Sequence, residues 1–218
     1  MSEVVITVRG EHEVRIAPER AIVTLSVTVD GPDRETVVAR TLALADPVAA
    51  SIAAREASGA VETWSSRRLA VRSERPWSND GIRLALVHHA SVDFAATFVD
   101  FAELSAWVAD VSMVDGVSVT DTSWILTPET RTRVEQEVAA EAVRTAVTRA
   151  GAYAAALGLT RVEPIEIADA GLITDGAAAD AAPKAMRAFA APPSSSGLEL
   201  QGDDIRVSAT VEARFVAT

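Results

Sequence analysis

Three histidines, a set of acids on one predicted helix and a glycine pair in one loop are the residues here whose types and spacing could do chemistry. His12 stands apart, while His88 and His89 are adjacent. Neighbouring residues on a strand point to opposite faces, so His88 and His89 cannot share a metal on the strand predicted over 82–94. His88 falls on the apolar face with Leu84, Leu86, Ala90, Val92 and Phe94, and reads as a hydrogen-bonded core histidine. Nothing further points to a site built from His89, Asp93 and a remote carboxylate. Glu135, Glu137 and Glu141 lie on one long helix and read as its solvated face rather than a proton-transfer pair. The stretch Gly171 to Gly176 lacks the Lys and Ser/Thr of a phosphate loop. No nucleophile elbow, zinc-binding helix or dinucleotide fingerprint is present. The chain has no cysteine, which excludes disulfides, thiolate nucleophiles and Cys-ligated metals. The expectation is a protein that is not an enzyme, with no catalytic residue, cofactor or metal.

Composition narrows the remaining classes. The chain has 218 residues, 49% hydrophobic and 23% charged, which suffices for a sizeable core. Its net charge is −11, and Lys184 is the only lysine. A nucleic-acid binder gains affinity from clustered cations, so no nucleic-acid partner is expected. The acidic surface also disfavours anionic lipid headgroups. Glu3 stands where a signal peptide would carry cations, and Arg9, Gly10 and Glu11 interrupt the first apolar run. No stretch reads as a membrane span, and the expected location is cytoplasmic.

The elements that would position any site follow from periodicity. Val4 to Arg9 reads as a strand ended by Gly10. Ile22 to Val29 alternates strictly, with Val23, Leu25, Val27 and Val29 on one face. Asp33 is placed to cap a helix with Val38, Leu42, Ala45, Ala49 and Ile52 inward, and Pro47 should kink or split it. Strands over 61–72 and 82–94 flank a run of turn formers from Pro76 to Gly81, the pattern of a hairpin. Asp100 caps a short helix carrying Leu104, Trp107, Val108 and Val111 inward, and a strand over 117–126 follows. Thr127, Pro128 and Glu129 open a long helix reaching Leu157. Its inward stripe is small, Val138, Ala142, Ala146, Ala150 and Ala154, with Val134 and Leu157 at its ends. Gly158 and Leu159 form a Schellman stop. After a strand over 161–167, residues 170–197 keep no amphipathic period and read as a flexible loop. Ile205 to Phe215 is a closing strand of strict alternation. The fold class is α+β: a mixed, largely antiparallel sheet with a long Ala-rich helix and shorter helices packed on it. The chain is expected to form a single domain over 1–218.

Among the aromatics, Trp107 and Trp124 take amphipathic positions and read as core, whereas Trp77 lies at the predicted hairpin tip. An exposed tryptophan is a candidate contact for another subunit. Met186, Phe189 and Leu198, in and just after the loop, join Trp77 as candidate interaction residues.

Several stretches in this order are similar to one family. They are the strand Val4 to Arg9, the turn Gly10 to Val14, the step Pro18-Glu19-Arg20-Ala21, the helix end Ala154 to Leu159 and the closing strand Ile205 to Phe215. His12 stands where that family usually has glycine, and Glu19 where it has aspartate. The chain resembles the SIMPL-domain family, which includes bacterial oxidative-stress proteins and a periplasmic immunogenic protein. The resemblance implies no agreed catalytic residues, a link in some members to oxidative-stress tolerance, and assembly into ring-like or channel-like homo-oligomers. Many members are exported, and the acidic N-terminus departs from that. The expected function is a non-enzymatic, self-assembling domain using strand edges, the hairpin around Trp77 and the 170–197 loop. The alternative is a small-molecule module with an apolar pocket between sheet and helices, and a third class is a hydrolase or metalloenzyme.

Overall fold

Alternating residues build strands from both ends of the chain, and the two ends pair. The computed structural model describes residues 3–77, 83–173 and 200–218. In chain order the elements are β1 (Val4–Ile16), β2 (Arg20–Gly31), α1 (Arg34–Ala57), β3 (Val61–Ser66), β4 (Ala70–Glu74), β5 (Val87–Phe98), α2 (Phe101–Ser112), β6 (Val117–Ile125), α3 (Pro128–Ala156), β7 (Val162–Asp169) and β8 (Ile205–Ala217). They divide into two compact units. The fold class is α+β as expected, and every strand pair among the described residues is antiparallel.

The first unit is a three-stranded sheet, order β1-β8-β7, with α3 on one face. Thr127 caps α3 by accepting from the Thr130 N–H. At the other end the Gly158 N–H reaches the Ala155 carbonyl and the Leu159 N–H the Ala154 carbonyl, the two bonds of a Schellman stop. Gly158 takes φ +77° to make that turn. The stripe Val134, Val138, Ala142, Ala146, Ala150 and Ala154 is buried, and its four alanines pack with Ile6, Val8, Val211, Ala213 and Phe215, whereas Leu157, expected at the end of the stripe, is 61% exposed.

Gly10 does not end its strand. β1 runs through it to Ile16, and a Cβ built there would overlap the Ala142 carbonyl oxygen and lie 2.7 Å from the Ala146 nitrogen. The glycine is needed because the helix backbone rests directly on the strand backbone. Sequence alone shows a glycine as punctuation; the reason for this one lies on α3, far along the chain.

The second unit is a five-stranded sheet, order β3-β5-β2-β6, with β4 also pairing β5. Helices α1 and α2 cover one face, around Val23, Leu25, Val27, Phe94, Phe98, Ile52, Leu104 and Trp107. The Trp107 indole N–H donates to the Ser51 hydroxyl at 3.0 Å, and its ring meets Phe98 at 5.2 Å between centroids. That bond satisfies the one polar atom a buried tryptophan carries.

Several local expectations need correcting. The inward stripe of α1 is Val37, Thr41, Ala45, Val48 and Ile52, offset by one position at three places from the predicted face. Thr41 tolerates full burial because its hydroxyl donates to the Val37 carbonyl at 2.8 Å. Pro47 does not split α1; Pro47 and Ala43, whose carbonyl it releases, both lie on the exposed side of the helix, where solvent can take the place of the lost bond. The strand predicted over 61–72 is two strands, β3 and β4, and β5 begins at Val87 rather than Ile82. Finally, α1 with Ser58 is long and apolar enough, by length and composition, to cross a membrane, although the sequence reading expects no such stretch. In this fold its inward stripe packs on the five-stranded sheet.

Candidate functional site: sheet edges and a polar sheet face

Backbone N–H and C=O groups at a sheet edge can recruit another strand, and proteins usually blunt such edges with bulges, proline or interruptions. Edge β7 carries Pro164 and a register shift between Pro164 and Glu166. Edge β6 is bulged where its partner passes from Thr24 to Leu25. The opposite edge is broken between β3 and β4 and shifted between Val61 and Thr63. Edge β1 differs: its thirteen residues pair β8 from Val4↔Ala217 to Ile16↔Ile205 in one continuous register.

The face of β1 turned away from α3 presents Val5, Thr7, Arg9, Glu11, Glu13 and Arg15, all exposed. Val5 is 59% exposed. Arg9 is held from β8 by Glu212 at 3.0 Å, a carboxylate only 6% exposed. Arg149 on α3 donates to the Arg9 carbonyl at 2.6 Å. Arg9, Glu13 and Arg15 on this face are held by ion pairs with neighbours.

The second candidate is the open face of the five-stranded sheet. Asp30, His89 and Arg72 sit opposite one another on β2, β5 and β4. His89 Nε2 lies 3.3 Å from Glu74. A shallow depression of about 420 Å³ includes Ser26, Thr28, Arg72, His89 and Ser91 in its lining. Hydroxyls and charges on the uncovered face of an antiparallel sheet are what water alone requires. Among the described residues no group of three His, Cys, Asp or Glu could hold a metal ion.

His88 shares strand parity with Ala90, Val92 and Phe94, as expected, but at the strand's half-exposed end, where Nδ1 bonds the Ser73 hydroxyl at 2.7 Å. His12 is half-buried on β1 opposite Ala209. His12 belongs to the first unit and His88 and His89 to the second, where they point to opposite faces of β5. Glu135, Glu137 and Glu141 each pair with an arginine of their own helix: Arg131, Arg133 and Arg144. Hydrogen bonds from Thr36 at the start of α1, and after them the charge of His88, hold Asp33 below its usual 3.8.

Of the predicted interaction residues, Trp77 is 87% exposed just beyond β4. Met186, Phe189 and Leu198 lie outside the described residues. The unbroken β1 edge escapes a reading of the sequence because Gly10 looks like a strand end. The alternation of Arg9, Glu11, Glu13 and Arg15 is the available signal.

Two antiparallel sheets, each covered on one face by helices, with the first and last strands paired, define an α+β protein. The SIMPL family, described as a protein of unknown function (DUF541), matches residues 6–215, and the chain belongs to it. A search of curated proteins found no match.

Proposed function

We propose that this SIMPL protein is a non-enzymatic module that works by self-association through its sheet edges. The observation that carries the reading is the pairing of an open edge with an exposed apolar side chain beside it. Val5 stands exposed on β1, the edge whose register is unbroken. Edge strands offer backbone hydrogen bonds, and neighbouring apolar surface adds affinity when a second strand covers it. The polar side chains described above form local pairs, which supports a role in assembly over one in turnover. Any link to stress tolerance would act through the assembled state, since no thiol is available to sense an oxidant.

An apolar ligand pocket between α3 and its sheet draws no support from the closed contact at Gly10. Light scattering on the purified chain tests the proposal. The expected result is a mass above one chain at micromolar concentration; the mass of one chain up to about 100 μM, well above the range in which specific interfaces of ordinary size associate, would overturn it.

A further inference from the structure

We infer that the interface is β1 itself, paired antiparallel with β1 of a second copy about a two-fold axis through Gly10. The inference rests on the self-association proposed above and names its surface and register. Among the described residues, three of the four sheet edges carry a register shift or a break, and β1 alone runs its full length without one. An isologous contact needs a strand that complements itself when reversed. Gly10 is the midpoint of Val4–Ile16, so a pairing centred there engages the whole strand.

The same register is the one the charges accept. It sets Arg9 opposite Glu11 of the second copy, twice by symmetry, and Thr7 opposite Glu13. Opposite charges placed directly across a ladder attract, and like charges repel. Moving the axis by one residue sets Glu11 against Glu11, or in the other direction Arg9 against Arg9. Slipping one strand by a single residue places the α3-facing side chains of one copy on the open face of the other. Register is therefore specified by length and charge together. Glu212 keeps Arg9 extended on this face, and Arg149 gives up the Arg9 carbonyl to the incoming strand. The joined sheet has six strands in the order β7-β8-β1-β1-β8-β7, with its new edges at the two proline-bearing β7 strands. That geometry closes at a dimer along this direction.

The test uses the absence of native cysteine. In the double variant Thr7→Cys, Glu13→Cys the two sulfurs of one chain are about 20 Å apart at the rise of a strand, too far for a bond within the chain. Across the proposed axis the Cα atoms of positions 7 and 13 approach to about 4.5–5.5 Å, within disulfide reach. Mild oxidation is expected to give a covalent dimer from this variant and none from Thr7→Cys, Arg15→Cys, which reports the neighbouring register. Glu11→Arg, on an exposed position opposite Thr210 in its own sheet, is expected to weaken dimerisation at least tenfold while its circular dichroism stays unchanged. A native mass above one chain without the cross-link between positions 7 and 13 overturns this interface and leaves the self-association reading standing. A mass of one chain overturns both. Full association by Glu11→Arg also overturns the register.

Discussion

The two units solve the same problem, a helix laid on an antiparallel sheet, with opposite materials. In the first, Gly10 meets Ala142 and Ala146, so backbone rests on backbone. In the second, Trp107, Phe98, Leu25 and Ile52 fill the space between helices and sheet. Close packing holds in both, but the separation is set by main chain in one and by side-chain volume in the other. The consequence is an asymmetry of tolerance. The first unit cannot accept an added methyl at its contact, and the second cannot lose a large side chain.

Truncating the large side chain should have the greatest effect. Trp107→Ala removes the indole and its bond to Ser51, and should cost about 3–5 kcal/mol in denaturant unfolding. A cost under about 1 kcal/mol would mean that the second unit repacks freely, and the contrast would fail. Next comes the smallest possible insertion. Gly10→Ala should cost about 3 kcal/mol, the upper end for overpacking, because the obstructing atoms are backbone and cannot rotate away. Gly151, on α3 with nothing within 4 Å of its would-be Cβ, supplies the control. Gly151→Ala should stabilise by about 0.4–1 kcal/mol, so two identical substitutions in one unit should have opposite signs.

The smallest effects separate the helix caps. Thr127→Ala should cost about 1 kcal/mol, independent of pH, because a hydroxyl cap does not titrate in the acid range. The cap of α1 is a carboxylate whose folded pKa is lowered. Its contribution is full above the ordinary value of 3.8 and is lost as pH falls through the lowered folded value. Amide resonances at Thr36 should therefore move during acid titration while those at Thr130 stay still. Equal movement at both would show that the two caps do not differ in this way.

Much of this is legible in the residues. The stripe Val138, Ala142, Ala146, Ala150 and Ala154, the cap at Thr127, the stop at Gly158 and the alternation of β8 are local patterns, and the structure repeats them. The α1 face reads one step off because alanine, valine and threonine alternate there with little contrast. Only the sheet decides that Val37 and Thr41 go inward while Leu42 stays exposed. Gly10 and the edge position of β1 depend on partners far along the chain, which periodicity cannot report. The charge alternation at Arg9, Glu11 and Glu13 is visible, but its use follows only once β1 is known to lie at an edge.

The pairing of β1 with β8 also sets a timetable. The elements of the second unit from β2 to β6 are contiguous, so they can assemble as soon as they leave the ribosome. Of the eleven elements β1 emerges first, and it waits for β8, whose first residue follows the last of β1 by 189 positions, from Ile16 to Ile205. At a synthesis rate of about 5–20 residues per second the delay is roughly 10–40 s. For that interval the longest uninterrupted strand edge among the described residues lacks its own-chain neighbour.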